Sequence, residues 1–151
     1  VGYEACADAL RATAPEPLAP VVVHGDYRLG NMLSAGDDVL AIIDWEIWSR
    51  SDPRIDLSWL LFFTDEAKHP VVPADLHSGM PSDADLLAAY EAETGGPGPH
   101  PDWFPAPTRY KEAAAMALIA KHLAKKGDTE TLAKMAAMLP ALIADAHQRV
   151  T

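Results

Sequence analysis

Three oxygen-bearing side chains, Asp26, Asn31 and Asp44, stand close together in this sequence of 151 residues. They fall in the stretch His24-Gly25-Asp26-Tyr27-Arg28-Leu29-Gly30-Asn31 and, soon after it, in Ile42-Ile43-Asp44-Trp45-Glu46. Those residue types at that spacing suit phosphoryl transfer. The reaction needs a carboxylate beside the attacking hydroxyl. It also needs hard oxygen ligands for the Mg²⁺ that bridges the nucleotide phosphates.

The neighbouring sequence shows how such a set is positioned. Val21-Val22-Val23 is a short β-branched run, suited to a buried strand, and it delivers residues 24–31 as a loop. A strand from Asn31 to Ser34, a turn over 35–38 and a return strand from Val39 to Asp44 make a hairpin. The hairpin folds Asp44 back towards Asn31, so that groups thirteen positions apart can share one metal ion. Ser51-Asp52-Pro53 is a helix start, with Asp52 as N-cap and Pro53 at the first helical position. The helix from Arg54 to about Phe63 is apolar almost all round, which places it inside the protein. Asp56 lies within it. A carboxylate there needs partners, and the reading favoured here is that it accepts hydrogen bonds from a neighbouring loop.

The flanking regions are helical. Tyr3, Cys6, Ala7, Leu10 and Ala14 recur at helical spacing over Gly2 to Thr13, and Pro15 and Pro17 close that helix. Residues 64–81 read as an irregular, functional or mobile loop. Ser82 with Asp85 resembles a capping box that opens a helix to about Thr94. Residues 95–101, with three Gly and three Pro, are a stop and linker. Thr108 to Lys126 is a helix capped by Gly127, with Tyr110, Ala114, Ala117, Leu118 and Lys121 along one side. The last helix starts at Asp128 or Thr129, and Pro140 is expected to kink or divide it.

Composition bounds the rest. The length suits one domain with a real core. No apolar run approaches the ~18 residues of a membrane span, and the N-terminus lacks the pattern of a signal peptide. The single cysteine, Cys6, excludes an internal disulfide and fits a reducing cytoplasm. A formal charge of −10 argues against nucleic acid or an anionic membrane as partner. The acids at 65, 66, 83, 85, 91 and 93 offer a surface for a polycation, or simply a solvated face. Trp103 and Phe104 either line an acceptor pocket or anchor their loop. No His-x-x-x-His pair and no Gly-x-Ser-x-Gly elbow is present, so zinc and serine-hydrolase chemistry are disfavoured.

The blocks His24 to Leu33, Ile42 to Glu46 and Asp52 to Leu61 together resemble the aminoglycoside phosphotransferase and choline kinase superfamily. Their wording is most similar to the branch related to the kinase-like domains attached to some acyl-CoA dehydrogenases. The first block follows the kinase loop pattern H-x-D-x-x-x-x-N, with Gly25 where protein kinases have Arg. Asp44-Trp45-Glu46 stands where they have Asp-Phe-Gly. The resemblance implies an α+β, mainly helical fold: the C-terminal lobe of a protein-kinase-like fold, with a small hairpin carrying the catalytic loop. It implies that Asp26 is the base or positioning carboxylate, that Asn31 and Asp44 hold Mg²⁺, and that ATP or GTP is the donor. His24 and Asp56 would be structural supports, and Glu46 would face metal or substrate. Nothing before Val21 matches the nucleotide-gripping N-terminal lobe, and Val1 is not an initiator Met. The expected organisation is therefore a fragment: leading helix and linker over 1–20, catalytic core over 21–63, helical subdomain over 64–151, and the N-terminal lobe absent. The expected function is phosphorylation of a small-molecule hydroxyl, in the cytoplasm, as part of a longer protein and inactive alone. A homo-oligomer is left open. The alternative is a non-catalytic kinase-like binding or interaction module.

Overall fold

The computed structural model describes residues 2–64, 80–127 and 129–151. Most of the 64–81 loop expected from the sequence, with Asp65 and Glu66, lies outside the described residues. The described chain is mainly helical with a small β part, an α+β arrangement. It forms two compact units, Val1–Pro15 with Asp102–Thr151, and Glu16–Pro101.

The first unit is helical. Helix α1 (Tyr3–Thr13) packs against α4 (Pro105–Lys126) and α5 (Thr129–Gln148), which run along each other. Cys6 and Leu10 of α1 are buried, as the helical spacing requires. Burial also pushes the Cys6 thiol up from its ordinary value. Helix α4 begins three residues before its expected start, because Pro105 supplies a first-turn residue that needs no amide donor. It ends at Gly127, whose N–H reaches the carbonyls of Leu123 and Ala124. Pro140 lies within an unbroken α5 and does not divide it. Trp103 donates from Nε1 to Thr13 Oγ1 at 3.1 Å, and Phe104 is buried. Both aromatics therefore anchor their segment.

The second unit carries the hairpin. Strand β1 (Val21–Val23) pairs antiparallel with β4 (Ser49–Ser51), and β2 (Met32–Ala35) pairs antiparallel with β3 (Asp38–Ile42). Strand β4 escapes sequence reading because Ser49-Arg50-Ser51 has no β-forming character of its own. It is a strand by virtue of its pairing. The expectation of a buried Val21–Val23 needs correction: only Val23 is buried, and Val21 and Val22 are exposed on a two-stranded ribbon. The β2–β3 register shifts between Leu33 and Ser34, leaving Leu40 as an extra residue between Ala41 and Val39.

Helix α2 (Arg54–Thr64) buries Leu57, Trp59 and Phe62 but leaves Ile55, Leu60, Leu61 and Phe63 part-exposed. It is thus half-buried and not interior all round. Its start is fixed by Asp52, which accepts from the Arg54 amide at 3.0 Å, from Arg54 Nη2 at 2.6 Å and from the Leu18 amide at 2.8 Å. Helix α3 (Asp83–Thr94) opens with the reciprocal Ser82–Asp85 capping box anticipated from the sequence.

Candidate active site

The loop between β1 and β2 is held by α2 from one side. Asp56 accepts the amide N–H of His24 at 2.5 Å and of Gly25 at 2.8 Å, through different carboxylate oxygens. A half-buried carboxylate on a largely apolar helix thus finds two backbone donors some thirty residues away. His24 is almost wholly buried and uses both ring nitrogens. Nε2 lies 2.8 Å from the Ile43 carbonyl, which can only accept, so the proton is on Nε2. Nδ1 accepts from the Asp26 amide at 3.1 Å. The imidazole therefore ties the loop to the residue before Asp44. It has no nitrogen left for acid–base chemistry.

Gly25 shows why no larger residue stands there. Its φ is +86°, and a Cβ would meet the Ile47 carbonyl oxygen at 2.7 Å. The loop and the turn after Asp44 touch backbone to side, with no space for an arginine.

Asp26 sits at the open face of this frame. One carboxylate oxygen accepts from Trp59 Nε1 at 2.7 Å, the other from Asn31 Nδ2 at 2.8 Å. Arg28 Nε bridges both oxygens at 3.1 and 3.2 Å. Burial pushes this carboxyl up, but the hydrogen bonds from Trp59 and Asn31 and the charge of Arg28 outweigh it. They hold the group below the usual carboxylate range.

Asn31 is buried and also gives Nδ2 to the Asp26 carbonyl at 2.8 Å. Its Oδ1 is left as an acceptor that meets no donor among the described residues. The Ile43 amide bonds the Asn31 carbonyl at 2.9 Å, extending the β2–β3 ladder by one pair. Asp44 is the next residue. It is exposed, sits in the left-handed region at φ 68°, and makes no hydrogen bond or ion pair among the described residues. Glu46 is exposed in the 3-10 turn Trp45–Ile47 that follows.

The model of the phosphotransferase enzyme family matches residues 3–100, about two thirds of the chain. The chain belongs to that family. The matched span contains Asp26, Asn31, Asp44 and Asp56. It also contains the whole hairpin and α3, and stops short of α4 and α5.

A phosphotransferase of this kind implies Mg²⁺, and the donor set can be tested for it. Asn31 carries an amide oxygen whose nitrogen is already engaged, and Asp44 a solvent-facing carboxylate; both are hard oxygen donors. Mg²⁺ commonly takes one or two protein oxygens and completes its shell with water and phosphate. No group of three His, Cys, Asp or Glu side chains suited to a metal occurs among the described residues.

Two residues near the chemistry were not singled out by the sequence. Trp59 is one more apolar residue of α2 by its sequence, yet its indole N–H donates to Asp26 at 2.7 Å. The signal was present: Trp59 follows Asp56 by three, so both project from one face of α2 towards the same loop. Arg28 stands in the sequence only as one residue of the His24–Asn31 stretch. No spacing rule shows that it folds back on Asp26.

Of the acids considered for a polycation, Asp85 is engaged with Ser82 in the capping box. A hollow of about 420 Å³ beside β1 is lined by Val22, Tyr27, Leu57, Leu60 and Tyr90, with Asp56 at its edge. A hollow of about 560 Å³, with Tyr3, Tyr110 and Lys121 in its wall, belongs to the helical unit, which holds none of the candidate residues. No helix among the described residues is long and apolar enough to cross a membrane.

Proposed function

We propose that this chain is the metal- and acceptor-binding, C-terminal lobe of a kinase-like enzyme that moves the terminal phosphoryl group of ATP or GTP to a small-molecule hydroxyl. The observation that carries the reading is the 2.8 Å bond from Asn31 Nδ2 to Asp26. It fixes the carboxylate and engages the amide nitrogen of Asn31, which leaves Oδ1 as the atom that a metal would use. Asn31 Oδ1 and the Asp44 carboxylate would hold Mg²⁺, which when bound would neutralise charge on the phosphates. Asp26, kept ionised by its neighbours, is a weak base. It would orient the acceptor hydroxyl and take its proton late, which suits a loose transition state in which positioning does most of the catalysis.

The second wall of the cleft would come from a separate nucleotide-gripping lobe. Leu40, Ile47 and Trp48, at the hairpin and the turn after it, face solvent and offer an apolar surface for such a wall. The acyl-CoA dehydrogenase-linked branch of the superfamily is the proposed affiliation. Aminoglycosides, other hydroxylated metabolites and hydroxyacyl thioesters are the acceptor classes to screen.

The test is a phosphotransfer screen of the full-length parent against an alcohol library, with Asp26→Ala beside the wild type. Loss of transfer with an unchanged fold supports the reading. Retained turnover in that variant removes Asp26 from its role. For the 151-residue chain, calorimetry with Mg-ATP should show weak binding and no turnover. Sub-micromolar affinity or steady turnover would defeat the two-lobe reading.

A further inference from the structure

We propose that the hollow of the helical unit binds a single-chain amphiphilic anion, an alkyl carboxylate of the fatty-acid kind, with its chain along α4 and its carboxylate at Lys121. The site is independent of the phosphotransfer reading, since every residue it uses lies in the first unit.

The stripe along one side of α4 is left uncovered by the fold. Tyr110, Ala114, Ala117, Leu118 and Lys121 recur at helical spacing. All five line the hollow of about 560 Å³. Leu139 and Ile143 of α5 line it from the second helix. Tyr3 of α1 lines it too and stacks on Tyr110, with ring centroids 5.8 Å apart. The hollow exists because α4 carries alanines where a closely packed face would carry larger side chains. Ala114 and Ala117 are exposed, and Leu118 beside them is 70% exposed. From Tyr110 to Lys121 the helix makes three turns, about 16 Å, the order of length of an extended dodecyl chain. Small-molecule sites of roughly 300–1,000 Å³ have this make-up, an apolar lining with a few placed polar groups. An alkyl chain laid in the hollow removes its apolar lining from water.

Charge selects the headgroup. Among the described residues Lys121 is the one charged side chain that lines the hollow, and it makes no hydrogen bond or ion pair there. Lys125 and Lys126 have another explanation: they lie in the last turn of α4, where the free carbonyls favour cations. Lys121 stands a turn earlier, so the helix end does not account for it. A lysine lays its methylene stem along apolar surface and keeps its ammonium at the edge, where a headgroup would sit. The chain as a whole carries a charge of −10 and its overall field favours cations. In this hollow the sign is reversed, since no Asp or Glu lines it.

The test titrates dodecanoate, below its micelle concentration, into the 151-residue chain and follows the amide NMR signals, with dodecyltrimethylammonium as a cation of equal chain. Dodecanoate should move the amides of residues 110–121 and 139–143 and bind about tenfold more tightly than the cation. Lys121→Met should bind dodecanoate about fivefold more weakly, the worth of one part-exposed charge pair. Ala117→Phe, which fills the hollow, should bind either amphiphile at least about tenfold more weakly. Both substitutions fall at exposed positions of α4, and circular dichroism equal to the wild type shows that the helix is kept. Equal affinity for anion and cation on the wild type, a comparison that needs no variant, would overturn the proposal. So would shifts confined to other residues, or undiminished binding by Lys121→Met. A concentration-dependent dimer that moves the same amides without ligand would give the hollow to a second copy of the chain and overturn it as well.

Discussion

Replacing Asp56 by Asn asks whether the loop is held by a charge or only by shape. The two side chains are nearly isosteric. Asp56 presents two oxygens to the amides of His24 and Gly25, at 2.5 and 2.8 Å. Asn keeps one oxygen and sets an NH₂ against the other amide. One charge-assisted bond is lost, worth about 1.5–3 kcal/mol, and the second becomes a neutral one. A donor is also set against a donor at a buried turn. Some of this is recovered by a small shift of the loop, so a net destabilisation of about 3 kcal/mol is expected. Urea unfolding of the chain measures it, and hydrogen exchange localises it. The His24 and Gly25 amides should exchange roughly a hundredfold faster, while the α4 and α5 amides change far less. Asp56→Glu, which keeps the charge but moves it by a methylene, should recover part of the protection. A loss under about 0.5 kcal/mol with unaltered exchange at both amides would refute the brace.

Two further outcomes follow from the same frame. Gly25→Ala forces a Cβ to within 2.7 Å of the Ile47 carbonyl oxygen at φ +86°, and should cost about 2 kcal/mol or more, with Asp44→Ala as a mild comparison by the same urea assay. Asp52, held at about 2 first by its hydrogen bonds from Arg54 and then by the Leu18 amide, against the opposing effect of burial, gives pH dependence. Its folded-state value lies below the unfolded one, so its contribution is present above about pH 4 and is lost as pH falls through about 2. The wild type should therefore lose about 2 kcal/mol more than Asp52→Asn between about pH 5 and pH 2. Parallel curves for the two proteins would contradict the assignment.

What the sequence showed and what it hid divide along a physical line. The capping box at Ser82, the Gly127 cap and the turn between β2 and β3 are set by neighbours a few residues apart, so residue type and spacing are enough to place them. The strand β4 is a different case, since Ser49-Arg50-Ser51 becomes extended only because Val21–Val23 lies beside it. The exposure of Val21 and Val22 has the same origin: three valines say strand, but only the number of neighbouring strands says whether the strand is covered.

The site divides in the same way. The proposed set Asp26, Asn31 and Asp44 can be picked out from sequence because phosphoryl transfer would need such oxygens, and the chain carries them just before and just after the β2–β3 hairpin. The contacts that set their state are not local. Trp59 reaches Asp26 across 33 positions, Asp52 reaches Leu18 across 34, and Asp56 reaches His24 across 32. Each joins the segment leading into or out of β1 to the start or face of α2, and periodicity within either segment does not reveal it. Arg28 is the instructive exception, because it is only two residues from Asp26 and was still missed. Its role depends on Gly30 leaving space beneath it and Phe63 standing beside it, so a local pair acquires its geometry from distant packing. An Asp with an adjacent Arg reads as a surface ion pair worth little. Here Trp59 and Asn31 hold the same carboxylate from the body of the unit, so the pair is one member of a network and not an isolated contact.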